Sequence, residues 1–330
     1  MKGRFAPSPT GRMHLGNVYS ALLSWLSVRS QGGAWVLRIE DIDPQRSRPA
    51  YAQQIKDDLR WLGLDWDEEY TQSQRFSLYE QYLRQLQATG LVYPCYCTRA
   101  DIMATQAPHE SDGRIVYAGT CRPKELRGVK RVEGVEGSIP RAFDSPIPRK
   151  IDSSKNRKID ASTPQRSPSL RLFVPDEDIA FTDAHYGPQS VNLATHCGDF
   201  VLRRADGAWA YQLAVVVDDA LMGITEVVRG RDLLLSAPQQ LYLYRLLGFP
   251  APTFCHLPLL CNASGQRLCK RDKSLDLGEL RQHHSAEALV GLLAFHAGLI
   301  DQPSPLSAQS LIPLFSWAKV PCEDIIVSED

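Results

Sequence analysis

The chain has 330 residues, 43% of them hydrophobic and 23% charged, which fits one large or two ordinary globular domains with a buried core and excludes collagen-like, coiled-coil and wholly disordered chains. Thirty-seven basic and 38 acidic residues leave a net charge of −1, so no global field draws the protein to nucleic acid or to an anionic membrane. No apolar run approaches the ~20 residues of a membrane span. Met1–Pro7 lacks the apolar core of a secretion signal. Eight scattered cysteines in so long a chain point to a reducing cytoplasm, where clustered cysteines would mark a metal.

The spacing predicts a short strand at Arg4 that runs into a loop broken by Pro7, Pro9 and Gly11. A helix follows over about 16–30, where Ala21, Leu22, Leu23, Trp25, Leu26 and Val28 recur at helical intervals. Gly32-Gly33 ends it, and Trp35–Glu40 reads as a buried strand. Strand, helix and strand within about forty residues form the βαβ signature of a parallel sheet. Further helices are expected near Ala52–Leu62 and Gln74–Thr89. A patch rich in cysteine and tyrosine spans roughly 93–121.

Residues 122–171 differ in kind. Thirteen basic residues face six acidic ones, a surplus of seven, so the rest of the chain carries about −8. The stretch is rich in Pro and Ser and lacks periodicity, the mark of a flexible insertion. It reads either as a salt-dependent contact to a phosphate backbone or as a solvated loop. Order returns at Phe200–Arg204. Asp206-Gly207 is a hairpin turn before Trp209–Tyr211. Leu213–Val217 suits a buried strand or a buried helix, Glu226–Gly230 a strand end, and Ala237–Leu247 and Ser285–Ala297 helices. His283-His284 reads as an exposed helix start.

Two constellations carry chemistry. His14-Leu15-Gly16-Asn17 sits where a loop opens a helix, and free amides there, with the helix dipole, favour an anion. Taken alone it could equally be a helix start with a surface histidine. Cys95-Tyr96-Cys97 followed by Tyr117 and Cys121 offers three thiols and a phenol, either as metal ligands or as inert cysteines around a core tyrosine. Cys197, Cys255, Cys261, Cys269 and Cys322 show no metal spacing.

Arg4–Gly11, His14–Asn17, Arg38–Asp43, Arg229–Leu233 and Arg267–Arg271 together resemble the class I aminoacyl-tRNA synthetases of the glutamyl type. His14–Asn17 matches their HIGH signature. Arg267–Arg271 matches their KMSKS loop, with Arg for Lys at 267 and Cys for Ser at 269. The resemblance runs from about Arg4 to Leu277. It implies an α/β, Rossmann-like class I catalytic domain with a zinc-bearing insertion and a short helical C-terminal extension. The parts would be 1–92 and 196–277 for the two catalytic halves, 93–195 for the insertion with its basic segment at about 122–171, and 278–330 for the extension.

The resemblance also implies roles. Arg4, Ala6, Ser8, Glu40, Tyr211 and Arg229 would hold glutamate, because two carboxylates and an ammonium need guanidinium forks and an acid. His14, Gly16, Asn17, Arg267, Leu268, Cys269, Lys270 and Arg271 would hold ATP with Mg²⁺, and His14, Asn17 and Lys270 would be catalytic. Cys95, Cys97, Tyr117 and Cys121 would bind one structural zinc. Only about fifty residues follow Leu277, too few for a helical anticodon-binding region. That favours the shortened branch of the family, which attaches glutamate to the queuosine base of tRNA(Asp). The alternatives are a minimal enzyme charging a tRNA 3′ end, or a catalytically silent RNA-binding relative. Expected partners are ATP, L-glutamate and queuosine-containing tRNA(Asp), with no membrane, for a monomer.

Overall fold

A computed structural model of the chain describes residues 1–104, 116–128, 167–262, 264–268 and 276–327. Cys269, Lys270, Arg271 and most of the basic stretch lie outside these residues. The first half is built by a crossover. Strand β1 (Lys2–Phe5) leads through the Pro-broken loop to helix α1 (Leu15–Arg29), then to β2 (Ala34–Ile39), α2 (Pro49–Trp61) and β3 (Glu68–Thr71). All three strands pair in parallel, with Lys2 opposite Ala34 and Val36 opposite Glu68. Parallel neighbours need such a helical return. Helix α2 starts three residues earlier than its apolar spacing suggests, because Pro49 suits the first helical turn.

A short 3₁₀ turn (Gln72–Arg75) precedes α3 (Phe76–Ala88), β4 (Val92–Cys95) and α4 (Arg99–Ala104). The chain then forms β5 (Ser169–Leu172), β6 (Asp178–Asp183), β7 (Gly187–Asn192), α5 (Leu193–His196) and β8 (Phe200–Arg203). Strands β4, β5 and β8 make an antiparallel sheet, and β6–β7 is a hairpin. Regular structure is therefore present from Ser169, about thirty residues before Phe200, where it was expected. The hairpin strands are short and polar, so their alternation is a weak signal.

The second half comprises α6 (Tyr211–Leu221), β9 (Glu226–Gly230), a 3₁₀ turn (Arg231–Ser236), α7 (Ala237–Leu247), β10 (Thr253–Leu257) and β11 (Leu260–Cys261). After these come α8 (Leu277–His283), α9 (Ala286–His296), α10 (Ala308–Leu311) and β12 (Ile325–Ile326). Leu213–Val217 is helical, buried within α6. The turn at Asp206-Gly207 forms, with Gly207 at φ +85°; Arg203 bridges Trp209 across it, the Arg204 N–H donates to the Ala208 carbonyl at 2.9 Å and the Ala210 N–H to the Leu202 carbonyl at 3.1 Å. His283 and His284 end α8 and do not begin a helix; Ser285 caps the next one. No helix among the described residues is long and apolar enough to cross a membrane.

Strands β9 and β10 pair in parallel. They meet the first sheet at β1, where the Thr225 N–H donates to the Lys2 carbonyl at 2.8 Å. Strand alternation divides the core. Leu37 packs with α1, whereas Val36 packs on the far face with α3, α6 and α7. The C-terminal segment belongs to the first core: Leu289, Leu293, Leu311, Val320 and Val327 pack in the same cluster as α1. This explains why α1 is buried on nearly every side.

Leu22, fully enclosed in α1, and Leu221, exposed at the end of α6, give a direct comparison. We expect Leu22→Ala to cost about 2–5 kcal/mol in urea unfolding and Leu221→Ala less than about 0.5 kcal/mol.

Candidate active site and metal centre

The C-terminal ends of β1, β9 and β10 open onto one cleft, at the mouth of a parallel sheet where ligands bind in α/β proteins. Its first wall carries Arg4, Phe5 and Ala6 from the end of β1, then His14, Gly16, Asn17, Tyr19 and Ser20 from the start of α1. The opposite wall carries Tyr211, Val228–Gly230, Asp232, Leu233, Pro258–Leu260, Arg267 and Leu268. Residues more than two hundred positions apart thus face one another.

His14 opens α1. Its backbone N–H donates to Asn17 Oδ1 at 3.1 Å, and its backbone bridges to Asp276 on the far side of the KMSKS-like segment. A Cβ on Gly16 would stand 3.1 Å from the His14 ring, so glycine lets the imidazole lie over the first helical turn. Ser8 stands exposed on the loop after β1, outside the cleft wall. Glu40 lies just behind the wall, 6% exposed.

Glu40 belongs to a buried charge cluster. Its Oε1 accepts from Arg38 Nη2 at 3.0 Å and Nε at 3.3 Å. Arg38 Nη1 pairs with Asp219 at 2.5 Å, and Arg4 Nε lies 3.4 Å from the same carboxylate oxygen. Asp218 accepts from Arg75, Gln72 and the Tyr79 hydroxyl at 2.6–2.9 Å. Burial raises the pKa of Glu40, opposed by Arg38 and then Arg4. Burial also raises that of Tyr211, whose hydroxyl feels Arg229, Glu40 and Arg4. Arg4, Glu40, Tyr211 and Arg229 therefore act as one electrostatic unit.

Arg229 is held from behind. Its Nε donates to His256 Nε2 at 3.0 Å, Nη1 to Gln240 at 2.8 Å and Nη2 to the Leu233 carbonyl at 3.2 Å. The other ring nitrogen of His256 meets Asp183 at 2.5 Å. Because Nε2 accepts, the proton sits on Nδ1 and faces Asp183. Burial, then the Arg229 charge, lowers the histidine pKa and keeps the ring neutral, while the Asp183 bond acts against them. Asp183 Oδ1 also takes the amides of His185, Tyr186 and His256. Burial opposes ionisation of Asp183, yet these bonds hold its pKa below the ordinary carboxylate value.

The sequence reading missed Arg38, Asp183, Asp218, Asp219 and His256. One signal was available. Asp218-Asp219 directly follows Val215–Val217, and His256 interrupts the apolar run Phe254–Leu257; ionisable groups in such runs need buried partners.

Outside the cleft, the Sγ atoms of Cys95, Cys97 and Cys121 lie within 4.8 Å of one another. Cys97 and Cys121 are 3.5 Å apart, and Tyr117 Oη is 3.4 Å from Cys95 Sγ and 4.0 Å from Cys97 Sγ. All four candidate ligands converge. Burial, with Cys121 and Cys95 beside it, pushes the Cys97 thiol up to about 12. Crowded thiols of this kind ionise when a soft divalent cation supplies the opposite charge, so the donor set fits a metal ion.

The basic stretch supplies part of this frame. Arg171 stacks on the Tyr117 ring at 3.9 Å, and Arg122 grips Asp199 through two 2.8 Å bonds. The remaining basic residues between 129 and 166 lie outside the described residues. Gly198, at φ +63°, bridges Tyr117, and a Cβ there would fall 2.4 Å from the Tyr117 carbonyl oxygen. We expect Gly198→Ala to destabilise the fold by roughly 1–3 kcal/mol and to lower the metal content of the purified protein. Thermal unfolding and elemental analysis read the two effects.

The catalytic-domain family "tRNA synthetases class I (E and Q)" matches residues 1–289. A protein named Glutamyl-Q tRNA(Asp) synthetase from Symbiobacterium thermophilum is 48% identical, over 98% of this chain and 94% of that one. A protein of the same name from Nitratidesulfovibrio vulgaris is 43% identical over 100% and 96%. Among solved structures, a glutamate tRNA ligase from Elizabethkingia meningosepticum, in complex with its amino acid, superposes with a TM-score of 0.75 at 27% identity. That match covers 99% of this chain but 66% of the ligase, so the chain spans about two thirds of its length. By the extent of these matches, the protein belongs to the class I tRNA synthetases of the E and Q type.

Proposed function

We propose that the protein activates L-glutamate with ATP and transfers it to the queuosine base in the anticodon of tRNA(Asp). The observation that carries this reading is a cleft lined by two buried guanidiniums, Arg4 and Arg229, and by the start of α1, with the Glu40 carboxylate just behind the wall beside Arg4. A ligand with two carboxylates and an ammonium complements these charged groups. An anionic nucleotide complements the helix start. The near full-length similarity to proteins named Glutamyl-Q tRNA(Asp) synthetase supplies the acceptor.

In the first step an oxygen of the glutamate α-carboxylate attacks the α-phosphorus of ATP. The bond to the bridging oxygen breaks, and glutamyl-AMP and pyrophosphate form. Two anions must meet, so the protein's task is orientation and charge stabilisation. Arg4 and Arg229 take the carboxylates, and Glu40 takes the ammonium. Ala6 and Tyr211 complete the glutamate site in this reading, with Ser8 on its rim. His14 and Asn17 meet the α-phosphate region beside Gly16. Arg267 and Leu268 lead into Cys269, Lys270 and Arg271, and Lys270 neutralises the departing pyrophosphate. Mg²⁺ enters on the ATP phosphates. In the second step a hydroxyl of the queuosine cyclopentene ring attacks the carbonyl carbon of glutamyl-AMP, and AMP leaves as the ester forms.

The rigid hold on Arg229 by His256 and Gln240 supports this assignment. A guanidinium fixed by two of its own bonds meets a carboxylate at little entropic cost. Cys95, Cys97, Tyr117 and Cys121 would hold one Zn²⁺ in a structural role, tying the Tyr117–Cys121 turn to β4.

Two experiments test these assignments. Queuosine-containing tRNA(Asp) with a blocked 3′ end, incubated with labelled glutamate and ATP, is expected to gain label, and the same tRNA lacking queuosine is not. Labelling that requires a free 3′ end would identify a 3′-charging enzyme instead. Elemental analysis of purified protein is expected to find about one zinc per chain, sharply reduced in Cys97→Ser; equal zinc in both would remove the assignment.

A further inference from the structure

The C-terminal segment takes no part in the chemistry above, yet it forms the outer support of the cleft. The Asp324 carboxylate accepts two bonds from Arg231, from Nε at 2.6 Å and from Nη2, and a third from the Leu259 N–H at 2.8 Å. The backbone continues the attachment: Ile325 N–H donates to the Leu259 carbonyl at 2.9 Å and Val327 N–H to the Cys261 carbonyl at 2.8 Å. Strand β12 thereby pairs with β11 in register, Leu260 opposite Ile325 and Cys261 opposite Ile326.

On its other side β11 is met by the first residues of the KMSKS-like loop. Leu268 N–H donates to the Leu260 carbonyl at 3.0 Å, and Arg267 bridges Cys261. A two-residue strand is too short to keep its own place. Here it is sandwiched between the tail and the start of the loop.

Leu259 and Leu260 line the cleft, as do Gly230 and Asp232 on either side of Arg231. Arg229 faces the cleft, Arg231 turns out to Asp324, and Asp232 pairs with Arg267. The contact allows little slack. A Cβ on Gly230 would stand 2.5 Å from Asp232 Oδ1 and 3.2 Å from Leu259 Cδ2. Burial works against ionised Asp324, yet the Arg231 and Leu259 bonds hold its pKa below the ordinary value.

We infer that Asp324 is a positioning residue for nucleotide binding: by tying Arg231 and Leu259 together it sets the wall of the cleft that carries Gly230, Asp232, Leu260 and Leu268. This rests on the reading of that wall as the ATP side of the site. The glutamate end does not rest on the Asp324 contact: Arg229 is anchored by His256, Gln240 and the Leu233 carbonyl, and the tail meets the β6–β7 turn separately, through the Pro321 and Cys322 carbonyls. Disturbing Asp324 therefore separates the two substrates.

The test is glutamate-dependent pyrophosphate exchange by the full chain in the presence of queuosine-containing tRNA(Asp), with KM measured for ATP and for glutamate. Binding of a non-hydrolysable ATP analogue, read by calorimetry, accompanies it. Asp324→Ala is expected to raise the ATP KM and the analogue Kd about tenfold while the glutamate KM moves less than about twofold. Arg231→Ala is expected to do the same, and the double variant is expected to be no worse than either single one, because the two residues act as a pair. Arg231→Lys, which keeps the charge but loses the fork, is expected to show a smaller shift in the same direction and serves if the alanine variants fail to fold. An unchanged ATP KM and analogue Kd would overturn the inference, and so would equal rises for ATP and glutamate. Wild-type protein that shows no exchange would refute the proposed function, while analogue binding would still decide the role of Asp324.

Discussion

The cluster of Arg4, Arg38 and Arg75 with Glu40, Asp218 and Asp219 is the constraint on which the rest of the structure depends. Three cations and three anions share a region where single charges would be prohibitively costly. Each pair joins different elements. Arg38 ties β2 to α6, Arg4 ties β1 to α6 and to the Val228 carbonyl of β9, and Asp218 ties α6 to Arg75 and to Tyr79 of α3. The two catalytic halves are thus locked by charges that none of these elements could bury alone. The lock also supports the end of the cleft that the proposed function assigns to glutamate. Arg38 is kept charged well above its ordinary pKa by Asp219, Glu40 and Asp218, against the effect of burial. It commits Oε1 of Glu40 through two bonds.

A second layer of support surrounds this cluster. Asp183, at the end of the β6–β7 hairpin, fixes the tautomer of His256, which in turn orients Arg229. The hairpin therefore reaches the substrate site through one imidazole. Beside the hairpin, whose turn it meets at His185 and Tyr186, the C-terminal segment reaches the cleft through Asp324 and β12. The insertion and the extension are not accessories in physical terms. Each supplies polar partners that the parallel sheet lacks.

The first βαβ unit was legible because apolar periodicity is a local property. Trp35–Glu40 and the helix over 16–30 appear nearly where the spacing places them. The cleft residues Arg4, Ala6, His14, Gly16, Asn17, Tyr211, Arg229, Arg267 and Leu268 come together as the motifs suggest, whereas Ser8 stands on the rim. The β6–β7 hairpin was not legible, since its strands bury few apolar side chains. The nature of Leu213–Val217 was open because a short, fully buried run has no exposed face from which to read a period. Arg122 and Arg171 read as members of a charged loop because their partners, Asp199 and Tyr117, are distant in sequence or come from another segment.

By itself the sequence determined the family, the parallel βαβ start and the residue types of the site, because motifs and periodicities are written over short spans. Only the tertiary structure decided which charges are buried together, which histidine holds Arg229, and that the tail braces β11. The reason is physical. Burial and pairing depend on contacts between segments tens to hundreds of residues apart, such as Arg38 with Asp219 or Arg231 with Asp324, and no local pattern encodes such a meeting.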